Sequence, residues 1–330
     1  TGPDRQSPDS LNGNHVSEAM KPKLISVDWG TSNLRAYLIG REGQVTEQVS
    51  SNQGLLSQPE NFEQCLLSLI GHWLDPDAPL NIILSGMVGS PSGWQEVPHL
   101  PAPATVQDLA NGAARIAQPQ KSSIWIVPGV FGQGAAGIHD IMRGEEIQFF
   151  GAELLRRTQS LPRPVYWCFP GTHNKWITAG TTIEQFSTSM VGEFWELARR
   201  HSLLAQSMEN DSASTVDAQA KTDAFSRGLA NAQLPGGLLH HLFSVRTLQL
   251  TNHHDKAIGA DYLSGIVIGH DVLAQLGHSP TQVGIVAAPG LAARYTQALE
   301  ALGHSCFTID AQDATVAGAG LIENCLPRVE

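Results

Sequence analysis

Twice along this chain a short apolar run reaches a Gly-Thr turn and leaves it as a second apolar run. Residues 23–28 read Lys-Leu-Ile-Ser-Val-Asp, the turn is Trp29-Gly30-Thr31-Ser32-Asn33, and Leu34-Arg35-Ala36-Tyr37-Leu38-Ile39 follows. In the second half, Val165 to Phe169 leads into Pro170-Gly171-Thr172-His173-Asn174 and out through Lys175 to Thr178. β-branched and aromatic residues on both sides of a small polar turn predict a β-hairpin each time. A chain whose two halves both open this way is constrained toward two α/β lobes, and 330 residues allow about 150 for each.

The remaining spacing predicts what surrounds the hairpins. A third strand over Gln44–Ser50, a helix over residues 60–74 and a strand over Asn81–Leu84 give the order β-β-β-α-β. Residues 105–117 read as a short helix and Ile124–Val127 as a strand. After the Gly-rich stretch from Gly132 to Gly137, Ile138-His139-Asp140 is expected to open a helix reaching about Arg157, with Asp140 suited to its N-cap. In the second half a third strand over Thr182–Ser187 precedes helices at about 190–208, 221–231, 236–248 and 256–277. Strand 282–287, helix 290–302, strand 305–309 and helix 313–325 close the chain. Thr1 to Met20 is polar and without period, and is expected to be a disordered tail. The expected division is therefore tail 1–20, N-terminal lobe 21–139 and C-terminal lobe 140–330, with the option that the last helix returns to the N-terminal lobe.

Composition narrows the ligand classes. With 31 acidic against 20 basic side chains the net charge is −11, and no basic run of five occurs, which argues against nucleic acid or an anionic membrane as partner. An anionic ligand must then be held locally by backbone N–H groups, a metal ion or single arginines, and the 32 glycines point to backbone sites. Four cysteines without C-x-x-C spacing, no signal peptide and no 18-residue apolar run point to a reduced, cytoplasmic protein. The histidine pairs His240-His241 and His253-His254 are adjacent rather than three or four apart, which disfavours a zinc site.

Several residues invite a chemical reading. Asp28 stands at a strand end beside Gly30, Thr31, Ser32 and Asn33, where backbone amides and hydroxyls can meet phosphate oxygens and the carboxylate can hold Mg²⁺ through water. An ordinary hairpin turn is the alternative. Gly171, Thr172 and His173 offer a second such turn, in which His173 either hydrogen-bonds a phosphate or holds the turn itself. The Gly/Pro-rich stretch Ser85–Ala104 is a candidate substrate loop. Its Trp94 suits either the apolar face of a sugar or a buried anchor, and Ser85, Met87 and Ser90 are weaker candidates for the same pocket. Pro289-Gly290 begins a strand-to-helix turn with small residues, where the superfamily that the chain order resembles, named below, places the adenine. Arg143, one helical turn beyond Asp140, is suited to a carboxylate or a phosphate, with Arg35 as the alternative; either can instead be a structural ion-pair partner. Glu145 and Glu146 can pair with these arginines, orient sugar hydroxyls or simply be solvated.

First hairpin, long loop, acid, second hairpin and Gly-containing strand-to-helix turn come in the order of the actin and hexokinase superfamily. More specifically, Asp28-Trp-Gly-Thr-Ser-Asn-Leu-Arg-Ala-Tyr37, Ser85-Gly-Met-Val-Gly-Ser90, Gly93-Trp94, Asp140-Ile-Met-Arg-Gly-Glu-Glu146, Phe169-Pro-Gly-Thr-His-Asn-Lys-Trp176 and Met190-Val-Gly-Glu193 resemble the 2-dehydro-3-deoxygalactonokinase family over about residues 22–325. Ser32 stands where a second threonine is common, Asn174 where serine is common, and Pro289-Gly290 where a glycine pair is usual. The resemblance implies an actin-like ATPase fold: two ribonuclease H-like lobes with mixed sheets flanked by helices and an ATP cleft between them. It also implies phosphorylation by ATP, with Mg²⁺, of the terminal hydroxyl of a six-carbon 2-keto-3-deoxy sugar acid. Asp140 is then the general base, Arg143 gathers charge beside it, and the sugar acid and ATP are the partners, with a homodimer open. A non-catalytic sugar-acid sensor and a phosphohydrolase on the same fold are the alternatives.

Overall fold

A computed structural model describes residues 21–57, 61–117, 119–134, 137–209 and 217–327. The expected tail, residues 1–20, lies outside them. By internal contacts the chain falls into two units: one holds the described residues of Thr1–Phe131, Ile141–Leu155 and Gln312–Glu330, the other those of Gly132–Asp140 and Arg156–Ala311. The single boundary expected at 139/140 is thus replaced by four crossings. The physical reason is that two helices belong with the first sheet's unit although much of the second unit separates them in sequence.

In the first unit, β1 (Pro22–Trp29) pairs antiparallel with β2 (Leu34–Gly40), which pairs with β3 (Val45–Ser51). On its other side β1 runs parallel to β4 (Asn81–Gly86), and β4 to β7 (Ser123–Ile126), with β6 (Ala114–Ala117) antiparallel at the edge; the order is β3-β2-β1-β4-β7-β6. The central strand β1 is buried on both faces through Leu24–Val27, the polar Ser26 included. Edge strand β3 is polar and half exposed. Helix α1 (Phe62–Ile70) is capped by Asn61, whose side chain accepts the Gln64 N–H at 2.9 Å, and it packs Leu66 and Ile70 onto the sheet.

The second unit repeats this order. β10 (Tyr166–Phe169) pairs antiparallel with β11 (Asn174–Thr178) and β11 with β12 (Phe186–Ser189), while β13 (Gln282–Ala287) and β14 (Ser305–Asp310) continue in parallel. The sheet order β12-β11-β10-β13-β14 is that of β3-β2-β1-β4-β7 strand for strand. Three antiparallel strands followed by two parallel ones, twice in one chain, is the duplicated ribonuclease H-like architecture of the actin-like fold. A third, three-stranded sheet has the order β5 (Leu100–Pro101), β8 (Val130–Gln133), β9 (His139–Met142).

Two expected helices change. The helix over 105–117 is only α2 (Val106–Gly112), started by a reciprocal capping box between Thr105 and Asp108. Residues 114–117 instead form β6, because pairing to β7 satisfies their backbone. The helix expected to open at Asp140 begins later, as α3 (Glu145–Thr158): His139–Met142 is strand β9, and Gly144, with φ +113°, breaks the extended run. Asp140 is therefore a strand residue and not an N-cap.

Backbone-to-backbone helix contacts hold each unit together. In the first, α3 meets α9 (Ala311–Cys325) at Gly151 and Gly318; a Cβ on Gly318 would lie 2.1 Å from the Ile147 carbonyl oxygen. In the second, α5 (Ala218–Ala232) crosses α7 (Gly259–Leu276) at Gly228 and Gly265, where a Cβ on Gly265 would lie 2.1 Å from the Phe225 carbonyl oxygen. Because rigid backbone cannot yield as a side-chain tip can, Gly265→Val is expected to cost about 3 kcal/mol in denaturant unfolding. Gly290→Ala, which meets nothing within 4 Å, is expected to be neutral or stabilising by about 0.5 kcal/mol.

Candidate active site

Both hairpin turns read Gly-Thr-x-Asn and both are closed by a bond to the glycine N–H. In the first, Gly30 N–H donates to the Asn33 carbonyl at 2.9 Å. In the second, Gly171 N–H donates to Asn174 Oδ1 at 2.9 Å, so a side chain replaces a backbone acceptor. The closure leaves Thr31, Ser32 and Asn33 exposed on one turn and Thr172 and His173 on the other, each at the end of its sheet.

Each turn is buttressed from behind within its own unit. Leu55 and Leu56 N–H groups donate to the Gly30 and Thr31 carbonyls at 3.0 and 2.9 Å, and a Cβ on Gly54 would lie 2.3 Å from the Ser32 carbonyl carbon. Gly54 was not singled out by sequence reasoning; its only signal is a glycine after a polar break. On the second turn, the start of α4 (Val191–His201) does the same work. Glu193 N–H donates to the Thr172 carbonyl at 3.0 Å, and the Glu193 carboxylate meets His173 Nε2 at 2.5 Å. Gly192 permits this approach, since a Cβ there would lie 2.4 Å from the Gly171 carbonyl oxygen. His173 thus fastens the turn to the helix.

Asp28, the last residue but one of β1, has Arg35 and Ser85 as its cross-strand partners. Burial raises its carboxyl pKa, and Arg35 opposes that shift. Gly86, at φ +87°, leaves the space beside it: a Cβ there would lie 2.8 Å from the Trp29 carbonyl oxygen and 3.4 Å from Asp28 Oδ1. Ser85 is buried and donates to the Val27 carbonyl at 3.2 Å, and Arg35 is exposed on β2.

The loop after β4 folds around Arg143. Its Nη2 donates to the Val97 carbonyl at 2.8 Å and lies 3.4 Å from His99 Nδ1, while Nη1 is buried without a hydrogen-bond partner. Ser90 Oγ, in the same loop, is also buried and unpartnered. Burial and Arg143 hold the His99 imidazole below its usual range, with Glu96 opposing. His99, a lone histidine in a Pro-rich stretch, carried no motif that would single it out. Met87 lies half-buried in a 3₁₀ turn, and Trp94 stacks on Phe62 at 6.3 Å between ring centroids. That contact anchors the loop, with the tryptophan only half-buried. Glu145 starts α3, half-buried.

Asp140 and Arg143 do not share a helix face as expected, for they lie on β9 and in the turn after it, in different units. Asp140 faces β12: its two carboxylate oxygens accept the Thr188 N–H at 2.6 Å and the Thr188 hydroxyl at 2.5 Å. Thr188 Oγ1 in turn accepts from Lys175 Nζ at 2.8 Å, and that lysine is 6% exposed, one residue beyond the second turn. A cavity of about 170 Å³ opens behind Gly171 and Asn174, lined mainly by Val191, Trp195, Val267, Ile268 and Leu291, with Arg294 and Tyr295 as polar groups. Pro289 and Gly290 begin α8 (Pro289–Ala301), exposed, and do not line this cavity.

Glu146 follows Glu145 at the start of α3. It is fully buried; Oε2 accepts the Gly144 N–H at 2.7 Å, while Oε1 has no partner. Burial, with Glu145 adding, pushes its pKa up to about 8 against the pull of the Gly144 N–H and Arg143. Between the unfolded value near 4.5 and about 8 the folded protein holds a proton that the unfolded chain has released. Stability therefore falls as pH rises through that window and levels off above it. Wild type is expected to lose up to about 1 kcal/mol per pH unit more than Glu146→Gln between pH 5 and 8, read from urea unfolding curves.

The chain matches the family model described as 2-keto-3-deoxy-galactonokinase over residues 28–322. A Rhizobium meliloti protein named "Probable 2-dehydro-3-deoxygalactonokinase DgoK1" is 35% identical over 298 residues, 89% of this chain and 94% of the relative. The 2-dehydro-3-deoxygalactonokinase of Escherichia coli is 30% identical over 302 residues, 91% of this chain and 97% of its own length. A crystal structure from Sinorhizobium meliloti, named for the same activity, has a TM-score of 0.76 at 32% identity, covering 93% of this chain and 98% of its own. Both Gly-Thr-x-Asn turns, Asp140 and the Arg143 loop lie inside the matched span, and the chain belongs to the 2-keto-3-deoxy-galactonokinase family.

Proposed function

We propose that this protein transfers the γ-phosphoryl group of ATP to the terminal 6-hydroxyl of 2-dehydro-3-deoxy-D-galactonate, giving the 6-phosphate in cytoplasmic galactonate catabolism. The observation that carries this reading is the pair of Gly-Thr-x-Asn turns at equivalent positions of two sheets with the same strand order, in a chain of this family.

Gly30, Thr31, Ser32 and Asn33 on one turn and Gly171, Thr172 and His173 on the other receive the ATP phosphates through amides and hydroxyls. The apolar cavity behind Gly171 is of the size of a purine base and takes the nucleoside. Pro289 and Gly290 lie outside that lining, and their role is limited to the open face at the start of α8. No group of three His, Cys, Asp or Glu side chains that would cage a metal occurs among the described residues. That suits Mg²⁺ carried on the phosphates, since this ion keeps most of its waters and takes few protein carboxylates. Asp28 is the residue that would hold it through water, and the ion supplies charge neutralisation on the phosphate oxygens.

Asp140 is the general base. Thr188 donates one hydrogen bond to each carboxylate oxygen, which fixes the plane in which the carboxylate meets a hydroxyl proton. As the sugar oxygen bonds to the γ-phosphorus and the bond to the ADP oxygen breaks, the hydroxyl proton passes to Asp140. Arg143, whose Nη1 is buried without a partner, binds the sugar-acid carboxylate, with Ser90 Oγ turned to a sugar oxygen. Arg35, Ser85, Met87, Trp94 and Glu145 complete the proposed acceptor surroundings. Ser85 acts only by holding β4, since its hydroxyl is spent on Val27.

The assay couples ADP formation to product analysis, with ATP, Mg²⁺ and a panel of 2-keto-3-deoxy acids. The expected result is stoichiometric ADP and sugar-acid phosphate, fastest with the galactonate derivative. Phosphate release without sugar phosphate indicates a hydrolase, and tight acid binding without turnover a sensor. Asp140→Asn is expected to reduce kcat at least about 10³-fold while ADP affinity stays within about threefold; near-normal kcat removes Asp140 from the base role.

A further inference from the structure

The second turn is tied to a buried carboxylate that none of these roles uses. Asp271, on α7 and 7% exposed, accepts Trp176 Nε1–H at 3.0 Å and Asn174 Nδ2–H at 3.1 Å on the same oxygen, Oδ2. The other carboxylate oxygen, Oδ1, is buried without a hydrogen-bond partner. Asn174, 1% exposed, donates in addition to the Tyr295 hydroxyl. With its amide nitrogen committed to these two acceptors, Asn174 has only its Oδ1 to offer the turn, and that atom receives the Gly171 N–H at 2.9 Å.

An asparagine amide carries donors at one end and an acceptor at the other, and sterically the two ends are nearly interchangeable. A nearby group that can only accept decides which end faces which way. An ionised aspartate is such a group; a hydroxyl, which both donates and accepts, is not. The first turn needs no such device, because its Gly30 N–H is closed by the backbone carbonyl of Asn33. A buried carboxylate is costly unless hydrogen bonds compensate it, and here burial raises the pKa of Asp271 against the bonds from Trp176 and Asn174.

We propose that Asp271 is a positioning residue for nucleotide binding: it fixes the orientation of the Asn174 amide, and through it the shape of the Gly171–His173 turn. Asp271 touches neither nucleotide nor acceptor. The proposal rests on the reading of that turn as a phosphate site.

The test uses the full chain and four variants: Asp271→Leu, Asp271→Asn, Asn174→Ala and the double variant Asp271→Leu/Asn174→Ala. ADP affinity by titration calorimetry and KM values for ATP and for the sugar acid are read below each variant's unfolding temperature. Asp271→Leu and Asn174→Ala are each expected to weaken ADP and raise the KM for ATP about tenfold, leaving the KM for the acid unchanged. The double variant is expected to be no worse than either single one, because both break the same chain of bonds. Asp271→Asn, which keeps an acceptor oxygen, is expected to recover most of the loss. Unchanged ADP affinity in Asp271→Leu, or losses that multiply in the double variant, would overturn the proposal. If Asp271→Leu does not fold, Asn174→Ala decides alone: it must weaken ADP about tenfold, and wild-type affinity overturns the proposal. A wild-type protein that binds no ADP and turns over no ATP removes the kinase reading itself, and the proposal falls with it.

Discussion

The hydrogen bond that closes each Gly-Thr-x-Asn turn is the constraint on which the rest depends. It brings two antiparallel strands round in four residues and leaves Thr31, Ser32, Thr172 and His173 exposed at the sheet ends. A turn so tight has little packing of its own, so each is held from outside: the first by the Gly54–Leu56 segment, the second by the start of α4. In both cases a glycine, Gly54 or Gly192, lets one backbone rest on another. The two units thus reach the same end by different local means, as expected of a duplicated architecture whose halves share strand order but little sequence.

The polar interior is unevenly satisfied. Around Asp271, Asn174, Trp176 and Tyr295 the side-chain donors find acceptors on Asp271 Oδ2 and the Tyr295 hydroxyl, while Asp271 Oδ1 is buried without a partner. Around Arg143 they do not: Arg143 Nη1, Ser90 Oγ and Glu146 Oε1 are all buried and unpartnered. Such atoms are expensive to leave alone, and their concentration beside one loop marks where a ligand with its own acceptors would repay the cost. Burial also pushes the Glu146 carboxyl up to about 8, which weakens its pairing with Arg143, on which Glu96 acts as well.

Most of the fold was legible in the sequence because its long helices and buried strands carry strong periods. Gly259–Leu276 and Gln282–Ala287 were readable from apolar spacing alone, and the repeated hairpins announced the duplication. What escaped was short or long-range. Ala114–Ala117 and His139–Met142 have four residues each, too few for a period to separate strand from helix, and only pairing to distant strands makes them extended. Reading His139–Met142 as helix also put Asp140 and Arg143 on one face, which the structure separates. The turn residues themselves were visible as Gly-Thr motifs. Their supports were not: Asp271 lies 97 residues from Asn174, and Thr188 lies 48 from Asp140. No local pattern records such partners, since the interaction needs only one polar atom from each side.

The central claim, that both turns hold the phosphates of one nucleotide, is tested most directly by hydrogen exchange of the full chain with and without ADP and Mg²⁺. The account predicts slowed amide exchange in the segments spanning Gly30–Asn33 and Gly171–Asn174 together when nucleotide is bound. Protection of only one of these segments, or of neither, would contradict it.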